Sequence, residues 1–217
     1  MIPPQHFPWR TSPPNWRRFE HYARRIRVLD QNDRRPYVLN GSPRTIPWRP
    51  AKPPIEFPKR PGTDPLLPKI QDLTWSVGRY ITNLPHILPF ISPSLKSLKI
   101  RVKTQHSSTD ADVICPAFDA LRVVAGLELE TFHFVRHVLE EKVAERLSTF
   151  LEHQQNLKNL GIFSRKFLEP GPVKDVLFTN LPRGLQKLNA CVRFSDEIDY
   201  INRIQANLSR LPNLRVL

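Results

Sequence analysis

Cysteine is scarce in this chain: Cys115 and Cys191 are the only two among 217 residues. They lie far apart and without C-x-x-C spacing, which excludes a disulfide-stapled scaffold and a clustered zinc site and suits a reducing compartment. Long apolar runs are missing too, since no stretch reaches the roughly 18 uninterrupted apolar residues of a membrane span. The N-terminal Met-Ile-Pro-Pro-Gln-His-Phe-Pro-Trp-Arg lacks a basic segment followed by an apolar one, so no secretory signal is read there. The sequons at Asn40 and Asn207 are accordingly read as accidental, and a soluble protein of the cytoplasm or nucleus is expected. Catalytic signatures are equally lacking: there is no G-x-S-x-G, no P-loop and no H-E-x-x-H. His133 and His137 have the i, i+4 spacing of a helical metal pair. The first belongs to an expected strand and the second to the turn or helix after it, so no metal and no cofactor is assigned. Cys115 and Cys191 read as buried, apolar-like residues rather than nucleophiles. The chain is expected to be no enzyme.

What the sequence has is a repeated apolar–x–x–apolar motif, usually with a third small or apolar residue two positions on. The copies are Ile26-Arg-Val-Leu29, Ile70-Gln-Asp-Leu73-Thr-Trp75, Leu95-Lys-Ser-Leu98-Lys-Ile100, Leu129-Glu-Thr-Phe132-His-Phe134, Leu157-Lys-Asn-Leu160-Gly-Ile162, Leu185-Gln-Lys-Leu188-Asn-Ala190 and Leu214-Arg-Val-Leu217. Their first residues stand 44, 25, 34, 28, 28 and 29 positions apart. Periods of about 20–29 residues around L-x-x-L-x-L are those of leucine-rich repeats. Between the motifs lie segments with helical spacing: residues 81–91, interrupted by Pro85 and Pro89; 111–125, with Phe118, Leu121 and Val124 on one face; 136–153, the clearest; 171–181; and 195–208, with Ser195 as N-cap. Strand, turn and helix in alternation predict an α/β leucine-rich-repeat-like solenoid, a parallel sheet on its concave face and helices outside.

Proline and charge divide the chain. Residues 1–14 hold five prolines and are expected to be disordered. Residues 15–35 read as a helix with Trp16, Phe19, Tyr22 and Ala23 on one face, leading into the first repeat strand. Residues 36–68 hold ten prolines in 33 positions, a basic insertion expected to be disordered or polyproline-like. Residues 69–217 form the solenoid, which stops in the middle of a repeat strand and is expected to be truncated. The net charge is +13, and residues 1–68 carry 13 Lys and Arg against 5 Asp and Glu, so most of the excess lies outside the clear repeats. Such a segment can bind polyanions without specificity, though a solvated linker is the reading favoured.

Three stretches carry a family likeness. Trp16-Arg-Arg-Phe19-Glu-His-Tyr22-Ala23-Arg24-Arg25-Ile26-Arg27-Val28-Leu29 resembles the segment after the F-box in the F-box/leucine-rich-repeat-like proteins of mushroom-forming fungi. Leu67-Pro-Lys-Ile-Gln-Asp-Leu-Thr-Trp75 resembles that family's next repeat, and Phe90-Ile-Ser-Pro-Ser-Leu95-Lys-Ser-Leu98 the one after. The resemblance implies the substrate-recruiting subunit of a cullin–RING ubiquitin ligase. In such proteins the F-box docks on the ligase adaptor and the repeats present a protein substrate. No F-box-like helical segment of about 40 residues is read here. An adaptor is therefore expected as a partner only if the complete gene product carries that module; an inactive, truncated paralogue is an alternative, as is a nucleic-acid-associated protein acting through residues 1–68.

Binding is expected on the face where side chains between the motif's apolar residues alternate outward. That set is Asp72, Thr74, Ser97, Lys99, Arg101, Thr131, His133, Asn159, Gly161, Lys187 and Asn189, polar and without an aromatic cluster. Eight positions after each motif start, where many such repeats place asparagine, stand Arg34, Gly78, Lys103, His137, Arg165 and Arg193. The absence of an asparagine ladder predicts an irregular repeat, and Lys103, Arg165 and Arg193 suggest a ladder for an acidic or phosphorylated partner.

Overall fold

The computed structural model of the chain describes residues 13–31, 65–78, 81–103, 110–167, 181–191, 206 and 208–216. It is an α/β structure around one all-parallel sheet of seven strands whose spatial order is their chain order. The strands are β1 (Val28–Gln31), β2 (Asp72–Val77), β3 (Ser97–Val102), β4 (Thr131–Leu139), β5 (Asn159–Phe167), β6 (Lys187–Cys191) and the two-residue β7 (Arg215–Val216). Helix α1 spans Pro13–Ala23, a 3-10 helix spans Ile81–Phe90, α2 spans Asp110–Arg122 and α3 spans Glu141–Glu152. Strands that are parallel and sequential need crossovers, and the right-handed rule puts these on one side of the sheet.

The motif read from the sequence is the unit of this architecture. Its first residue turns into the sheet ahead of each strand: Ile70, Leu95, Leu129, Leu157 and Leu185 are all 0% exposed. Most of these turns close the same way, by a bond from that residue's N–H to the carbonyl three back, as in Ile70 to Leu67, Leu95 to Ser92, Leu157 to Gln154 and Leu185 to Pro182. Leu129 is the exception, its N–H donating to the Gln154 side chain at 3.0 Å. The carbonyl just before each strand then accepts two N–H groups from the next turn: Arg27 from Gln71 and Asp72, Gln71 from Lys96 and Ser97, Lys96 from Glu130 and Thr131, Glu130 from Lys158 and Asn159, Lys158 from Gln186 and Lys187. Five consecutive turns thus satisfy their backbone in one pattern, and buried backbone groups require partners of this kind.

Alternation divides each strand between two faces. The inward rows are Leu29, Leu73, Leu98, Phe132, Leu160, Leu188, and then Trp75, Ile100, Phe134, Ile162, Ala190. The helices cover these rows. Phe118 of α2 meets Phe132, Phe134 and Phe150 with ring centroids 6.4, 5.4 and 5.8 Å apart, and Phe132 lies 5.2 Å from Phe150 of α3. Beside them, Leu84, Ile87, Ile100, Ile114 and Leu121 close so tightly that no water fits between them.

Residues 81–90, where Pro85 and Pro89 predict a short or irregular helix, form a 3-10 helix; Ile81, Leu84, Ile87 and Phe90 are its buried residues, a spacing of three that matches three residues per turn. Other segments depart from expectation. Residues 136–139, expected as the start of a helix, extend β4, and α3 begins only at Glu141. In the N-terminal helix Ala23 is buried, whereas Phe19 and Tyr22 are exposed. The folded chain also resumes before position 69: Leu66 and Leu67 are buried, and the Leu66 N–H donates to the Pro89 carbonyl at 2.7 Å. The disorder expected over 1–14 and 36–68 falls on residues that are outside the described ones except 13, 14 and 65–68, as do the helices expected over 171–181 and 195–208 except 181, 206 and 208.

Candidate functional site: the open face of the sheet

The other face carries the outward residues, and no described element packs over it. Register sorts those residues into transverse rows. Asp72, Ser97, Thr131, Asn159 and Lys187 align across β2–β6; Thr74, Lys99, His133, Gly161 and Asn189 form the next row; Arg101 stands in a third with Ser76, Val135 and Phe163. All the outward positions named from the sequence therefore come together on one surface. Asp72, Lys187 and Asn189 are exposed and the others half-buried, apart from Gly161, which His133 covers. Row contacts are direct where side chains are short, as in the Asn159 amide donating to Thr131 Oγ1 at 3.1 Å.

The polar description of this face needs correcting. Val135 and Phe163 stand on it half-buried, and the His133 ring lies against Phe163 at 6.4 Å with an interplanar angle of 24°. The sequence reading ended its outward set at His133 on β4 and Gly161 on β5, although it carried β3 on to Arg101. Carried two positions further, the same alternation yields both residues. Gly161 allows the arrangement, because a β-carbon there would fall 2.7 Å from His133 Nδ1.

Charge is distributed unevenly. β3, β4, β5 and β6 contain no Asp or Glu at all, whereas β1 and β2 carry Asp30 and Asp72. Lys99 pairs with His133 across the β3–β4 step, and Arg101 follows two residues on. Burial pushes the Lys99 ammonium below its ordinary range; Arg101 adds to this and Asp30 opposes it. Burial likewise lowers the His133 imidazole, followed by repulsion from Lys99 and Arg101. At the rim where the strands begin, Lys158 and Glu130 form a half-exposed ion pair at 2.8 Å that holds the Glu130 carboxyl below its usual range.

The ladder expected at Lys103, Arg165 and Arg193 is only partly in view. Lys103 is exposed just past β3, its N–H bonded to the Val77 carbonyl at 2.8 Å. Arg165 is in β5, next to the pair Arg136–Ser164, with its side chain outside the description, and Arg193 lies outside the described residues. His133 and His137 both sit on β4, four residues apart along one strand, which separates them by about 13 Å and denies them a shared metal. Among the described residues no three His, Cys, Asp or Glu side chains gather as a metal site would need. Cys115 is buried under α3, its thiol donating to the Lys142 carbonyl at 3.5 Å and raised above its usual pKa first by that burial.

One functional-looking group was missed from the sequence. Arg136 lies on the inward face of β4, 3% exposed, donating to Asp110 at 3.4 Å and Glu140 at 3.1 Å. Its carboxylates stand at the N-terminal ends of α2 and α3, so the arginine ties both helices to the sheet. It is a structural cross-link. No described helix is long and apolar enough to cross a membrane. Comparison with family models, with curated proteins and with solved structures gives no match to this chain.

Proposed function

We propose that this chain is a leucine-rich-repeat-like solenoid acting as a non-enzymatic protein-binding module, with the open sheet face as its recognition surface. The observation that carries this reading is the repeated turn hydrogen bonding, from the Arg27 to the Lys158 carbonyl, beneath a sheet face that no described element covers. A unit that satisfies its backbone only through its neighbour, and buries only one face, is how solenoids build extended binding surfaces. The finer reading, substrate recognition for an F-box-type cullin–RING ubiquitin ligase, rests on the resemblance of residues 16–29, 67–75 and 90–98 to that family. The nucleic-acid alternative rests on the excess positive charge of residues 1–68.

The test is site-directed photo-cross-linking in cells. A photoreactive amino acid at Thr131 on the open face should capture a defined protein, and one at Glu145 on the exposed side of α3 should not. Equal capture from both positions, or none from Thr131, would sink the binding-surface reading. The ligase reading adds a separate demand: the captured protein's ubiquitylation should rise with the amount of this chain and stay flat when Thr131→Arg blocks the face.

A further inference from the structure

We propose that the β3–β5 part of the open face binds an acidic peptide segment of a partner protein, with Lys99, Arg101 and His133 holding its carboxylates and Val135 and Phe163 seating an adjoining apolar side chain. This specificity rests on reading the open face as a protein-binding surface and adds the chemistry of what is bound there.

Three independent features converge on it. The first is position. Lys99 stands directly across from His133, Arg101 directly across from Val135, and Val135 directly across from Phe163. Cationic and apolar groups are therefore neighbours at strand spacing, about 4.8 Å per step, within reach of adjacent side chains on one short peptide.

The second is charge complementarity. Four consecutive strands lack any carboxylate, so the cations on this surface have no acid on their own strands to neutralise them. Lys99 and Arg101 repel one another and burial penalises the charged form of Lys99, while burial and these two cations favour the neutral imidazole of His133, which meets a carboxylate as a hydrogen-bonding group and not as a standing charge. A bound carboxylate relieves both penalties through charge-assisted hydrogen bonds.

The third is the boundary. Asp30 and Asp72, on β1 and β2, flank the basic area on its N-terminal side. A continuous polyanion laid across the strands would run into them, whereas a short acidic segment centred on β3–β5 avoids them. The half-buried Val135 and Phe163 give an apolar side chain a place beside the cations. A peptide is therefore the occupant the surface fits, in preference to nucleic acid.

The experiment pans a random phage-displayed peptide library against the whole chain, then measures the selected peptides by fluorescence anisotropy. Enriched sequences should place Asp or Glu beside Phe, Leu or Trp. The variant Lys99→Gln/Arg101→Gln keeps the first two methylenes of each stem and a polar head, so its thermal midpoint should hold while affinity falls about tenfold or more. Phe163→Ser should weaken the same peptides, and added salt should weaken them in wild type and much less in the double variant. Neutral or basic peptides that are nevertheless blocked by Thr131→Arg would overturn the acidic specificity and leave the protein-binding reading standing. A charge-matched single-stranded oligonucleotide that binds more tightly at Lys99 and Arg101 would also overturn it. Selected peptides indifferent to every open-face substitution would overturn both readings together.

Discussion

The imidazole of His133 occupies the space beside Gly161 that any other residue would fill: a β-carbon on Gly161 would lie 2.7 Å from His133 Nδ1 and 3.0 Å from two further ring atoms. Two physical terms oppose each other at that position. Glycine inside a strand carries extra backbone entropy in the unfolded chain and costs about 0.5–1 kcal/mol relative to alanine. Alanine here drives the ring away from Phe163 and off its half-buried seat.

A double-mutant cycle separates those terms. Gly161→Ala alone should leave stability unchanged or lower it, because the gained backbone term is offset by the displaced ring. In a His133→Ala background the same substitution should stabilise by about 0.5–1 kcal/mol. The coupling energy, from urea unfolding of the four proteins, should be about 0.5 kcal/mol or more. Additive effects would show that the close approach carries no energy.

Acidification should act through the same histidine. Burial, then Lys99 and Arg101 from β3, hold the folded His133 imidazole below its ordinary range, and its β5 neighbours Gly161 and Phe163 bring no charge. The unfolded chain therefore takes up this proton at a higher pH than the folded one. Stability from this group is complete above the unfolded value of about 6.5 and is lost as pH falls toward the folded value, below which no more is lost. His133→Gln should thus show a shallower fall in urea midpoint than wild type between about pH 7 and pH 5. Parallel curves for the two proteins would contradict the stated environment of the ring.

Buried and exposed ion pairs should separate cleanly. Arg136 is 3% exposed between Asp110 and Glu140, whereas the Arg146–Asp119 pair at 3.6 Å has side chains 47% and 41% exposed. Arg136→Met removes a desolvated cation from beside two carboxylates and should cost about 3–5 kcal/mol in chemical denaturation. Arg146→Met removes a screened surface pair and should leave the midpoint where it is. Equal effects would mean that Arg136 does not hold α2 and α3 to β4.

Arg136 also marks where the sequence stops being legible. The strands were readable because their signal is local: an apolar residue two positions before each of β1 to β6, then strict alternation. That signal predicted the inward rows and, by the same alternation, which polar residues share the open face. At Arg136 it fails, because an inward arginine breaks the apolar alternation, and Val138, Leu139, Val143 and Leu147 fit a helical stripe as well. The partner that makes an inward arginine tolerable, Asp110, lies 26 residues away, beyond any periodicity window. Residues 81–90 were ambiguous for a different reason. Pro85 and Pro89 remove donors from an α-helical ladder, while the spacing of Ile81, Leu84, Ile87 and Phe90 already matched the tighter helix. Val135 and Phe163 were within reach of the same alternation and lay just past the motif's end.

The aromatic cluster should prove the keystone of helix docking. Phe118 touches three rings, Phe132, Phe134 and Phe150, which join α2, β4 and α3, and all four are buried to 2% exposure or less. Phe118→Ala leaves a cavity bounded by rings already held by strand register and by their own helix, so they can collapse only partly. A loss of about 3–5 kcal/mol is expected, whereas Phe118→Leu, which keeps most of the volume, should cost well under half of that. If α2 instead floats over the sheet, the two substitutions should cost similar, small amounts. Hydrogen exchange would locate the effect: amides of α2 and α3 should lose protection in the alanine variant before those of β3 and β5, which keep their strand partners on both sides.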